Sequence, residues 1–129
     1  MTQKLSIAVL ETRRGARLKE LAGTGPVLEG SLAEIRVTCG NPNCRCARGE
    51  KHRSHILKRE FRGKTQSLYV PVDLVKEAQD WVQEYRRVRS LLREISELNR
   101  SIIRAHVATK RARAANRAAA ERRLPKRQS

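Results

Sequence analysis

The chain has 129 residues, and its 29 Lys and Arg stand against 13 Asp and Glu, a formal net charge of +16. So many charges on so short a chain leave material for one small core and argue against a fold that encloses a deep pocket. The positive excess exceeds what solubility needs and points to a polyanionic partner. No stretch approaches the roughly 20 apolar residues of a membrane span. The amino terminus lacks the basic, apolar, cleavage order of a signal peptide, so a cytoplasmic protein with no membrane partner is expected.

In chain order, residues 5–22 place Leu5, Ala8, Val9, Ala16, Leu18 and Leu21 at helical spacing. The predicted short helix stops at the breakers Gly23-Thr24-Gly25-Pro26. From Ser31, Leu32, Ile35 and Val37 interleave with Glu34, Arg36 and Thr38, the pattern of a half-buried strand. A loop rich in turn formers follows, with Gly40, Asn41, Pro42, Asn43 and Gly49. Two further strands, Ser54–Phe61 and Thr65–Val70, flank Arg62-Gly63-Lys64, whose glycine suits a tight hairpin.

Pro71-Val72-Asp73 predicts a helix start, with Asp73 as N-cap and Glu77 in the first turn. Leu74, Trp81, Val88, Ile95 and Ile102 then recur every seventh residue, and Ala78, Tyr85, Leu92, Asn99 and His106 fill the complementary position. A stripe of this kind suits a two-stranded parallel coil. Val88, Leu92, Ile95, Asn99 and Ile102 form its expected dimerisation seam, with Asn99 as a register-fixing polar residue. The first part of the helix is expected to pack on the sheet instead. Beyond Val107 the stripe dissolves into Ala and Arg, which predicts a solvated, fraying tail whose last residues, past Pro125, are disordered.

The expected architecture is therefore α+β: a short N-terminal helix, a three-stranded antiparallel sheet with a cysteine knuckle, one long amphipathic helix and a basic tail. Its segments are 1–25 (helix and linker), 26–72 (β module), 73–107 (long helix) and 108–129 (tail).

Cys39, Cys44 and Cys46 fall within eight residues. An odd, tightly spaced set does not make a disulfide framework and indicates a reducing compartment. With His52, these thiols supply the four ligands of a tetrahedral Cys3His zinc site, which would pin the loop to the following strand. Cys44 and Cys46 are separated by one residue, where metal knuckles use two, so they converge only if Arg45 turns. The alternative is small buried hydrophobes and reactive surface thiols. A catalytic thiolate among the neighbouring cations would need a pocket, and no Gly-rich phosphate loop or carboxylate cluster accompanies these cysteines, so no enzyme is expected.

Lys and Arg bind nucleic acid by neutralising phosphates and releasing counterions. One cluster comprises Arg45, Arg48, Lys51, Arg53, Lys58, Arg59, Arg62 and Lys64; a second, in the tail, includes Lys110, Arg111, Arg113 and Arg117. Residues 100–129 carry ten Lys and Arg against Glu121 alone. With few aromatics, contact with the backbone of DNA or RNA is expected over base stacking. The leading reading is a dimeric, non-enzymatic accessory or regulatory protein. The other is a scaffold whose long helix recruits a protein such as a recombinase, transposase or ribonucleoprotein component.

The runs LEGSLAEIRVTCGNPNCRCARGEKH and RGKTQSLYVPVDLVKEAQDWVQEYRRVRSLLREISELNR carry a further signal. Gly30-Ser31-Leu32, Cys39-Gly40, Cys44-Arg45-Cys46-Ala47, His52, Gly63-Lys64-Thr65, Tyr69-Val70-Pro71 and Glu97-Leu98-Asn99 resemble a family of small bacterial and archaeal proteins classed as a domain of unknown function. The resemblance covers about residues 22–100. It implies a strand, a cysteine knuckle, a hairpin and a long helix in proteins often described as hypothetical or mobile-element-associated, and implies no known activity. After His52 that family usually has a Gly-Pro-aromatic run, where this chain has Arg53-Ser54-His55-Ile56-Leu57.

Overall fold

The computed structural model describes residues 5–38, 40–45, 49 and 52–123. The fold is α+β. Helix α1 spans Ile7–Ala22, strands β1 (Ser31–Val37), β2 (His52–Phe61) and β3 (Lys64–Val70) form one sheet, and helix α2 spans Val75–Arg123. By contacts the chain divides into two units, Thr24–Arg89 and a second made of residues 1–23 with 90–129.

In the first unit, the strands are antiparallel in the order β1-β2-β3. Val37 pairs with His52, so the first hairpin is closed at its base by the first residue of β2. Phe61 pairs with Lys64, leaving a two-residue loop in which Arg62 and Gly63 have φ of +52° and +76°. Two positive φ values are the type I′ pattern, whose twist matches the flanking strands.

Residues paired across antiparallel strands share a face. Leu32, Leu57, Leu68 and Val70 therefore lie on one side of the sheet, and the first turns of α2 cover part of it. Leu57, Val70, Ala78 and Val82 are buried together, with Leu28, Leu32 and Val75 packed at the margin. Burying a leucine or valine this way contributes about 1.5–3 kcal/mol, so a few side chains hold the unit together. The Leu28 amide donates to the Trp81 carbonyl at 3.0 Å, tying the incoming chain to α2.

Gly30 has φ +138°, and a Cβ there would stand 2.8 Å from the Lys58 carbonyl oxygen and 2.9 Å from Leu57 Cδ1. Only glycine lets the chain enter β1 this close to β2.

Several details depart from sequence expectation. Asp73 does not cap α2. Residues Val72–Leu74 form a 3-10 turn with Pro71 before it and no side-chain cap, and the Leu74 amide donates to the Pro71 carbonyl. Val37, expected half-buried, lies on the face away from the helix. Leu68 faces the helix side yet is 62 % exposed, because α2 covers Leu57 and Val70 and stops short of it.

In the second unit, Ser6 caps α1, its Oγ accepting from the Val9 amide at 3.3 Å. Leu10 and Leu91 are buried. Arg14 Nη1 donates to Asn99 Oδ1 at 2.9 Å, and Arg17 pairs with Glu94 at 3.2 Å, so α1 docks along this stretch of α2. The helix continues through the Ala/Arg segment as far as Arg123, where a fraying tail was expected. Seven alanines between positions 108 and 123 give that segment high intrinsic helix propensity without an apolar face. The expectation for residues after Pro125 falls outside the described residues.

Gly30→Ala is expected to lower the unfolding free energy by about 2–4 kcal/mol in urea denaturation, from positive-φ strain plus overpacking. Gly63→Ala, at φ +76° with no atom near its Cβ, should lose only the strain. Equal costs at the two sites would contradict the close approach.

Candidate functional site

The cysteine loop is shaped by its turn formers. The Cys44 amide donates to the Asn41 carbonyl at 3.1 Å, and the Asn43 amide donates to Asn41 Oδ1 at 3.0 Å. Asn41-Pro42-Asn43-Cys44 is thus a β-turn reinforced by an Asx-turn, with proline at the position that favours its fixed φ. The turn delivers Cys44 to the loop's base, where its Sγ lies 3.0 Å from Nε2 of His52.

Two of the four expected zinc ligands therefore converge. Two ligands on one tetrahedral zinc stand about 3.6 Å apart, given bonds of ~2.3 Å to sulfur and ~2.1 Å to nitrogen. The observed pair would open slightly to admit the ion. Cys39 and Cys46 lie outside the described residues, among which no group of three His, Cys, Asp or Glu stands close enough to hold a metal ion.

The basic cluster read from sequence is divided by the pleat. Arg53, Arg59 and Lys64 occupy the helix-side face, Lys58 the opposite face, and Arg62 the hairpin turn. Arg53 pairs with Glu34 at 3.4 Å, an exposed contact of little energetic weight. Arg59 is held more firmly: its Nε donates to Gln66 Oε1 at 3.0 Å, and its guanidinium lies over the Phe61 ring at 4.7 Å. Arg62 lies 5.3 Å from the same ring. Arg45 is exposed in the loop, and Arg48 and Lys51 lie outside the described residues.

Past Ser31↔Lys58, the last β1–β2 pair at this end, β2 and β3 continue as a two-stranded ribbon. There the ribbon meets cations of α2 that the sequence reading did not assign. Lys58 and Arg59 line an open groove of about 460 Å3 together with Tyr85, Arg86 and Arg89. Arg86 and Arg89 sit one helical turn apart, a spacing visible in sequence, but only the register of α2 on the sheet reveals what they face.

In the second unit, Lys110, Arg111, Arg113 and Arg117 are exposed on α2. Of the expected seam, Leu92 is 51 % exposed and Ile95 and Ile102 are half-buried. Asn99 is engaged by Arg14 within the chain. Val88, in the first unit, is also half-buried.

No helix among the described residues is long and apolar enough to cross a membrane. No curated protein and no solved structure matches the chain. A family model described as a domain of unknown function, DUF6788, matches residues 7–80, more than half of the chain, and the chain belongs to that family.

Proposed function

We propose that the protein is a non-enzymatic nucleic-acid-binding accessory factor that holds DNA or RNA mainly through phosphate contacts. One observation carries this reading. From Arg104 to Arg123, none of the described Lys and Arg residues forms an ion pair, while the ion pairs of the second unit lie nearer its start. Cations left without carboxylate partners along an exposed helix repel one another, and a polyanion relieves that repulsion while releasing its own counterions.

Zinc fits the loop as a structural ion. Cys44 and His52 would hold it with Cys39 and Cys46 from the same loop, and the bound ion would fix the loop without taking part in a reaction. The supporting observation is the 3.0 Å approach of Cys44 Sγ to His52 Nε2.

A second copy of the chain suits the stripe of α2 that α1 leaves open. Leu92, Ile95, Asn99 and Ile103 line one shallow groove, and Ile103 is 63 % exposed. Steps of three, four and four residues put them on one face of α2, the kind of face a second helix covers. The same exposed stripe supports the scaffold reading, in which a different protein docks there.

Three outcomes follow from this reading. Affinity for a nucleic-acid duplex should fall roughly a thousandfold between about 50 and 200 mM salt, the loss tied to about six phosphate contacts; a flat salt response contradicts it. Metal analysis of the purified protein should give one zinc per chain, lost in Cys44→Ser; a metal-free protein with a wild-type loop contradicts the zinc site. Solution mass should be that of a dimer, and Leu92→Glu with Ile103→Glu should halve it; a wild-type monomer that captures another protein through this stripe favours the scaffold.

A further inference from the structure

The groove at the open end of the sheet draws cations from two elements that are distant in sequence. Arg59 comes from the helix-side face of β2, and Arg86 and Arg89 from α2, all three exposed and lining one concave surface that Lys58 borders from the sheet's other face. On the helix side three arginines, Arg59, Arg86 and Arg89, stand against Glu29, while the side chains of Lys58 and Glu60 leave β2 on its other face, so the groove stays net positive. None of Lys58, Arg86 and Arg89 makes a hydrogen bond or an ion pair with the described residues. Arg87, the neighbour of Arg86, is instead paired with Glu84 at 2.6 Å.

One of these guanidiniums is held in place before any ligand arrives, and a second lies at the outer reach of a ring. Arg59 is fixed by Gln66 and by the Phe61 ring, and Arg89 lies 5.9 Å from the ring of half-buried Tyr85. A planar guanidinium already ordered by stacking loses less rotamer entropy on meeting a phosphate, and its fork suits two phosphate oxygens. Tyr85 adds a phenol at the same surface.

From this geometry we infer that the groove formed by Arg59, Arg86 and Arg89 is a phosphodiester-binding site, the place where the first unit grips a nucleic-acid backbone. The inference rests on the nucleic-acid reading above and adds to it the site and the two helix arginines. Glu29 limits the grip to one or two phosphates, because its carboxylate repels a longer run of anions at the groove's margin.

The test uses the full chain and two probes of one sequence, a labelled DNA duplex and a labelled RNA duplex, with affinity followed against salt. Arg86→Ala with Arg89→Ala should weaken binding at least tenfold at about 100 mM salt and lower the log-log salt slope by about two, near 0.9 per lost phosphate contact. Lys76→Ala with Arg93→Ala removes the same charge from elsewhere on α2 and should leave most of the slope intact. Arg86→Lys with Arg89→Lys should restore the slope. Circular dichroism confirms that each variant keeps its helix.

Equal slope losses in the two alanine pairs would overturn the groove while leaving the nucleic-acid reading in place. A wild-type chain with no affinity for either duplex would overturn both. Comparing the two probes shows which backbone the groove prefers; a loss of slope on either one supports it.

Discussion

The contact on which the first unit depends is that of Leu57 and Val70 with Ala78 and Val82. These are its buried core residues, and with Leu28, Leu32 and Val75 at their margin they fix how the early turns of α2 lie over the sheet. Alanine at position 78 lets the helix backbone approach closely, and Gly30 lets the chain pass Leu57 and Lys58 at a distance that no other residue allows. With so small a core, the register of α2 on β2 and β3 is set by a handful of methyl and methylene groups. That register decides which charged side chains meet beyond the core.

The chemistry follows from where the core ends. Toward the hairpin tip, apolar cover gives way to Arg59 stacked on Phe61 and to arginines of α2 one turn apart. At the other end of the sheet, the Val37–His52 pair closes the cysteine loop and places His52 beside Cys44. One hairpin, β2 with its neighbours, thus carries a thiol-imidazole pair at its base and a cationic groove near its tip. In the second unit, α1 takes one face of α2 through Leu10, Arg14 and Arg17 and leaves Leu92 and Ile103 open.

Much of this architecture is legible in the sequence, for reasons that can be named. The strands announce themselves through alternation and through Arg62-Gly63, and the long helix through its seven-residue recurrence. The helix starts where Pro71-Val72-Asp73 signals it, but as a 3-10 turn that leads into α2 at Val75, so Asp73 sits inside that turn and not at a cap. Alternation also overstated the burial of Val37, since a single helix covers only one face of the sheet and Val37 lies on the other. The candidate site was harder to read. Neighbouring cations such as Lys58 and Arg59 point to opposite faces of the pleat, while Arg86 and Arg89 are ordinary members of a charged helix until the packing brings them to the sheet.

The central proposal is that this chain binds nucleic acid through backbone phosphates more than through bases. It is tested most directly by comparing binding to a natural duplex with binding to the same sequence on an uncharged methylphosphonate backbone. The account requires that affinity collapse when the backbone charge is removed. Comparable affinity for the neutral duplex would contradict it.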